Sequence, residues 1–282
     1  MKTKNITIVL AGVAIAFTSI ISSCRKKTED EKDKDTSSAK DQALASSAVN
    51  DLTNISDEAG RSLNISSFKV DGTSAVLSTC ASLTFDTLLS AKTITVNFGT
   101  TNCLCNDGRY RRGMITLAFT GRYRDSLTTI TVTPLNYYVN DNQLLGTKTI
   151  KNKGHNAAHH LVYEINANMS VVKGDGSGII TWSSIRQREW ISGESTLTWN
   201  DDIYSITGGA TGAAAGGGTF STLITTPLIR NMALGCRRHF TSGVVEHAPT
   251  GKATRYIDYG SGACDDIATV TIDGVSYTIT LP

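Results

Sequence analysis

The chain has 282 residues, 18% of them charged, and a formal net charge of +2. So even a balance excludes a nucleic-acid partner held by a basic surface. Only one run, close to the N-terminus, is apolar enough to suggest a membrane, which excludes a bundle of transmembrane helices.

Two lysines, Lys2 and Lys4, precede the apolar run "ITIVLAGVAIAFTSII" from Ile6 to Ile21. A short basic stretch followed by a short apolar one has the form of a secretory leader. The next residues, Ile21-Ser22-Ser23-Cys24, resemble the lipobox of bacterial lipoproteins. That resemblance implies a signal peptide over 1–23 and cleavage before Cys24, whose thiol then carries a diacylglycerol. It places the body outside the cytoplasm, attached to the outer membrane, on its surface or on its periplasmic face. Each buried CH₂ of an acyl chain contributes ~0.8 kcal/mol, so several chains on one residue anchor firmly. Outside the cytoplasm, disulfides persist.

"RKKTEDEKDKDTSSAKD" follows Cys24. It is almost without apolar residues and its charges nearly cancel, so 24–40 is expected to be a solvated tether. The acidic run Glu29-Asp30-Glu31 resembles a surface-display signal of Bacteroidota lipoproteins, displaced here behind three basic residues. Leu44, Val49, Leu52, Ile55 and Ala59 then recur at helical spacing, opened by Asp41 and stopped by Gly60. One amphipathic helix is expected over 41–60, its apolar face on the main body.

From about Ser66 the period changes to two. Ile115, Leu117 and Phe119 alternate with polar or small residues, as do Ile130 and Val132, and Tyr163, Ile165, Ala167, Met169 and Val171. Half-buried antiparallel strands follow from this pattern. Turn chemistry separates them at Val139–Gln143, Lys173–Gly178 and Asp273-Gly274, the last a two-residue hairpin signal. The expectation for 66–282 is an all-β body: a long antiparallel meander forming a curved sheet, a sandwich or a barrel. A transmembrane barrel fits less well, because Thr, Ser and Lys interrupt the apolar faces. The glycine-rich "GGATGAAAGGGTF", Gly208 to Phe220, has strands on both sides and reads as a hairpin tip, not a phosphate loop.

Five cysteines remain: Cys80, Cys103, Cys105, Cys236 and Cys264. "VNFGTTNCLCND" and "IDYGSGACDD" share an aromatic-Gly turn, a cysteine and an acidic close. Each is preceded by another cysteine, at a distance that holds two strands. Two related clipped units are therefore expected, about 75–120 and 230–282. The pairs are Cys236–Cys264 and Cys80 with Cys103 or, alternatively, Cys105. The odd cysteine is open to being a free thiol, part of a vicinal arrangement or an intermolecular bond. Cys-x-Cys supplies only two of the four ligands a zinc site needs, so no metal is expected.

His155, His159 and His160 lie in "GHNAAHH", a polar loop between strand-like runs; His239 and His247 stand apart. Asn106-Asp107, Asp201-Asp202 and Asp265-Asp266 read as turns before calcium ligands. Glu164, Glu189, Glu194 and Glu246 are scattered carboxylates, from which no glycosidase pair stands out. No catalytic residue and no cofactor is expected. Arg109, Arg111 and Arg112 form a basic region, and Tyr110, Tyr123, Tyr137, Tyr138, Trp182, Trp190 and Trp199 form either a ligand platform or cross-strand packing.

"NDLTNISDEA", "DGRYRRGMITLAFTGRYRD", "NYYVNDNQLLGTKTIKN", "TTPLI" and "GCRRHFTSGVVE" together resemble uncharacterised cell-envelope lipoproteins of Bacteroidota. That resemblance spans nearly all of the mature chain and implies location and architecture, not activity. The expected role is non-enzymatic, structural or binding. Its partners are the membrane, through the N-terminal lipid, and a glycan, lipid or protein ligand. The alternative is a glycan- or lipid-handling protein with a cleft or aromatic strip on the β body.

Overall fold

Period-two alternation dominates the chain after its first quarter, and the computed structural model turns it into one antiparallel sheet. The structure describes residues 33–62, 80–86, 92–196 and 198–282. The expected signal peptide, Cys24 and the tether up to 32 lie outside the described residues, and Asp33–Pro282 forms one unit.

A helix, α1 (Ser37–Ser62), comes first. Among the described residues fourteen strands follow: β1 (Ser82–Asp86), β2 (Lys92–Asn97), β3 (Cys103–Leu104), β4 (Tyr110–Phe119), β5 (Thr129–Val139), β6 (Asn142–His155), β7 (Leu161–Val172), β8 (Ile179–Ser192), β9 (Ile203–Ala213), β10 (Thr219–Asn231), β11 (Ser242–Pro249), β12 (Arg255–Ser261), β13 (Ile267–Ile272) and β14 (Val275–Thr280). Neighbours in sequence are neighbours in the sheet, apart from short β3, which pairs with β4 beside β2. β1 and β14 are its edges, so of the three architectures the curved open sheet is the one adopted, not a sandwich or a closed barrel.

The expected turns form. Asn140 and Asp141 reach φ +47° and +63°, and Asp273 and Gly274 reach +48° and +78°. These are the paired positive values that a two-residue hairpin requires. The glycine-rich tip narrows to Ala214–Gly218, closed by the Ala214 N–H donating to Gly218 O at 2.9 Å and the Gly217 N–H to Ala214 O at 2.9 Å.

Long strands bend where the register slips. The β4–β5 ladder shifts between Arg112 and Met114, and the β11–β12 ladder between Ser242 and Val244. Gly113 and Gly243 occupy these bulges at φ +89° and +110°. A Cβ on Gly113 would stand 1.9 Å from the Asn136 carbonyl oxygen, and one on Gly243 2.4 Å from that of Pro227. Only glycine fits such a close backbone approach, and each bulge adds twist and curvature.

The curvature lets the sheet wrap α1. Leu52, Ile55, Ala45 and Ala59 are fully buried, and so are Gln42, Ser46, Ser56, Asp51 and Glu58 on the other sides of the helix. The expected amphipathic helix thus becomes one with no solvent face along most of its length. It also begins at Ser37, so the last residues of the expected tether belong to the folded body. Asp35 Oδ1 accepts from the Ser37 N–H at 2.8 Å, and Asp33 pairs with Arg255 at 2.6 Å. Alanine and serine at many positions keep α1 thin, so the strands close on it from several directions. Asp41, expected to open the helix, sits inside it. Its carboxylate accepts from Lys173 Nζ at 3.2 Å and from the Ala215 N–H at 2.8 Å, tying two hairpin turns to the helix.

Both expected disulfides are present. Cys80–Cys103 spans the β1–β2 hairpin, and Cys236–Cys264 spans β11–β12. Each closes its hairpin at the open end. Cys103 and not Cys105 therefore holds the first clip. Cys105 lies two residues on, on the inward face, where its thiol is buried in the core and donates to Cys103 O at 3.8 Å.

Candidate functional site

Two polar systems stand out, one on each face of the sheet. The inner one links sheet cations to helix anions. Arg111 on β4 donates to Asp51 Oδ1 and to Asp107 Oδ2, each at 2.6 Å. Arg109 reaches Asp51 at 3.1 Å, and the Tyr137 hydroxyl donates to Asp51 Oδ2 at 3.0 Å. Burial pushes the Asp51 carboxyl up, but the two guanidiniums and the Tyr137 hydroxyl outweigh it and hold the group at about 2. Arg188 on β8 pairs with Asp57 at 3.4 Å and donates to the Tyr123 hydroxyl. Lys148 on β6 donates to Val49 O at 2.8 Å and to Thr53 Oγ1, and burial drives its ammonium well below the usual lysine range.

Arg109 and Arg111 of the basic region therefore face inward. Arg112 alone lies outward, over the Tyr138 ring at 3.8 Å and paired with Asp141. Of the two readings of the aromatics, packing is the one the tryptophans follow: Trp182, Trp190 and Trp199 are core residues, at most 3% exposed. They occupy inward positions and pack against interior cations, as Arg186 does over Trp182 at 4.8 Å.

The outer system is a groove of about 250 Å³ across β6, β7, β8 and β9. Register makes it. Glu189 lies opposite Val162 on one side and Ser205 on the other; Gln187 lies between Glu164 and Thr207 in the same way. At its rim the β6–β7 ladder slips between Asn152 and Gly154. That turns Lys153, His155 and Asn156 toward the groove. Asn156 then folds its loop, its Oδ1 accepting from the Ala158 and His160 N–H groups at 3.0 Å each.

The histidine loop and three of the four scattered carboxylates meet here. His160 Nδ1 lies 2.7 Å from Glu189 Oε1, which also accepts from Asn156 Nδ2 at 2.8 Å. These hydrogen bonds lower the Glu189 carboxyl below its usual range, so it is an anion and an acceptor at neutral pH. His155 Nε2 lies 2.9 Å from Glu194 Oε1, and Lys153 Nζ 3.7 Å from Glu164 Oε2. His159 takes φ +62° in the loop, and Glu246 lies on β11, three strands from β8.

The acidic pairs serve turns and ion pairs. Asp107 holds Arg111, Asp265 Oδ1 accepts from the Ile267 N–H at 3.1 Å, and Asp202 Oδ2 accepts from the Tyr204 hydroxyl at 3.2 Å. Among the described residues no three His, Cys, Asp or Glu side chains gather as metal ligands. His247 is buried against Phe220, with Ser38 Oγ 3.1 Å from its Nε2. No described helix is long and apolar enough to cross a membrane.

Gln187, Ser205, Thr207 and Lys153 were not singled out by the sequence. Their signal is the phase of β8: Ile180, Trp182 and Trp190 point inward, so Gln187 and Glu189 point out. The groove thus offers an ammonium, two amides, two hydroxyls and a carboxylate on adjacent strands. No protein-family model, no curated protein and no solved structure matches this chain.

Proposed function

We propose that this chain is an exported lipoprotein, held in the outer membrane through Cys24, with a non-enzymatic binding role at the cell envelope. The ligand class is a glycan, received in the outer groove. The observation that carries the reading is the paired rows Glu189–Ser205 and Gln187–Thr207, hydrogen-bonding side chains at adjacent strand spacing. Such a surface matches a polyhydroxylated ligand, whose hydroxyls both donate and accept. Lipid handling finds less support, because α1 occupies the space inside the curve where an acyl chain would lie.

The test is a glycan-binding screen on the secreted full chain carrying Cys24→Ser. That form keeps Asp33 and Asp35, which pair with Arg255 and Lys252. Binding weakened at least about tenfold by Gln187→Ala with Thr207→Val is expected, about 1.4 kcal/mol or more. Glycan binding indifferent to both changes defeats the groove assignment. For the anchor, radiolabelled acyl chains should enter the wild-type chain and not Cys24→Ser; label retained by the variant rejects it.

A further inference from the structure

Between α1 and strands β8 to β10 lies a cavity of about 20 Å³, lined by Arg186, Arg188, Arg230, Asn54 and Ser184. Each of the three arginines is at most 5% exposed, and the Nε atom of each, with Ser184 Oγ, has no hydrogen-bond partner. Among the described residues Asp57 is the one carboxylate in the lining; Arg188 pairs with its Oδ2 at 3.4 Å, and its Oδ1 has no hydrogen-bond partner, which leaves three guanidiniums against one carboxylate. Arg186 instead donates to Ser46 Oγ at 3.0 Å, and Arg230 to the Arg237 carbonyl oxygen. Among the described residues neither has a carboxylate within ion-pair distance. Burial pulls both guanidiniums down to about 10, which leaves them charged at neutral pH.

A second cavity of about 20 Å³ shares Arg230 and Asn50 and adds Arg238, His239 and Pro282; among the described residues no Asp or Glu lines it. Burial and Arg109 drive the His239 imidazole down to about 4, so it is neutral, and Arg238 alone extends the positive charge along the helix. Isolated buried cations are costly unless paired. A site of this volume holds one occupant of about the size of a water molecule. Water brings no charge; a monatomic anion brings the one the site lacks.

We infer that the cavity between Arg186, Arg188 and Arg230 is a binding site for a single halide ion, chloride under physiological conditions, built into the packing of α1 against the sheet. The ion would take the unpartnered Nε–H groups and the Ser184 hydroxyl as donors.

Crystals of the Cys24→Ser protein grown in sodium bromide, measured at the bromine edge, test this directly. An anomalous peak in the cavity is expected, together with a thermal midpoint that rises saturably when chloride replaces gluconate at fixed ionic strength. Arg230→Met should abolish that rise. Ser184→Leu, which fills the cavity without removing a charge, should abolish it too and serves if Arg230→Met does not fold. No bromine peak, or a chloride response unchanged in the variant that folds, overturns the site and leaves water as its occupant.

Discussion

Asp51 shows how one residue organises the interior. Its two oxygens serve Arg109, Arg111 and Tyr137, so removing its charge leaves two guanidiniums in a dry site with one remaining carboxylate, Asp107. Asp51→Asn is expected to cost about 3–5 kcal/mol, read as a drop in the urea midpoint of the soluble form. A loss under ~1 kcal/mol would mean the lattice is not cooperative. Acid should act in two separate windows. His247 is driven down to about 4 by burial and by Arg255, from an unfolded value near 6.5. The unfolded chain therefore binds the extra proton first. The contribution of His247 is complete above pH 6.5 and is lost as pH falls toward 4. Asp51, held at about 2, keeps its contribution above its ordinary value and loses it between about pH 4 and 2. Each step is worth up to about 3 kcal/mol. His239 is driven down to about 4 as well, by burial and by Arg109, so it shares the upper window. In a stability-against-pH curve, His247→Gln should reduce the slope of the upper window by about half and leave the lower one; an unchanged upper limb counts against the assignment.

At the scale of elements, strands were legible because one face of each is apolar at every second residue. β8 shows where that reading stopped short. Ile180, Trp182, Ser184, Arg186, Arg188 and Trp190 are all buried, and the odd positions between them face out or lie half-buried. The two arginines share the phase of the tryptophans, so their inward direction was present in the pattern. What period two cannot supply is a reason for burying charge. For Arg188 that reason sits on α1, in Asp57, 131 residues away in sequence, while Arg186 donates to Ser46 Oγ on the same helix. The helix itself was legible from Leu52 and Ile55, but its polar sides pointed to solvent until the sheet was seen to close around them. The groove was hidden for a related reason: it is made by register between four strands and by the slip at Gly154, and neither is written locally. The bulges give a sharp test. Gly113→Ala should destabilise by about 3 kcal/mol, since the new methyl meets a backbone carbonyl and the residue needs positive φ. The comparison is Gly251→Ala, at φ +74° in an open turn with nothing within 4 Å of the added Cβ. Equal losses in calorimetry would show that φ alone, and not the close approach, sets the cost.

The unit Asp33–Pro282 is an open sheet around one helix with two clips, one on the β1–β2 hairpin and one on β11–β12. Sequence separations of 23 and 28 correspond to about 3 kcal/mol of stabilisation each. Cys236→Ser with Cys264→Ser should lower the unfolding free energy by about 3 kcal/mol, read from the shift of the denaturant midpoint, and mass mapping of unreduced peptides should find Cys80 joined to Cys103. A peptide joining Cys80 to Cys236 would overturn the arrangement. The wrapped helix has a further consequence, for the order of events during synthesis. Ala39 and Ala43, among the first residues of the folded unit, pack in one cluster with Ile272, Ile279 and Leu281, and Arg109 and Ser47 hydrogen-bond to the Pro282 carbonyl. The first turns of α1 cannot be enclosed until β13 and β14 have been made. Contacts so distant in sequence close slowly, because loop entropy is lost before they form. The serines, asparagines and acids of α1 keep that segment soluble while it waits. Enclosure of α1 is therefore completed only after β14 has emerged, which makes the closing of the unit a late step.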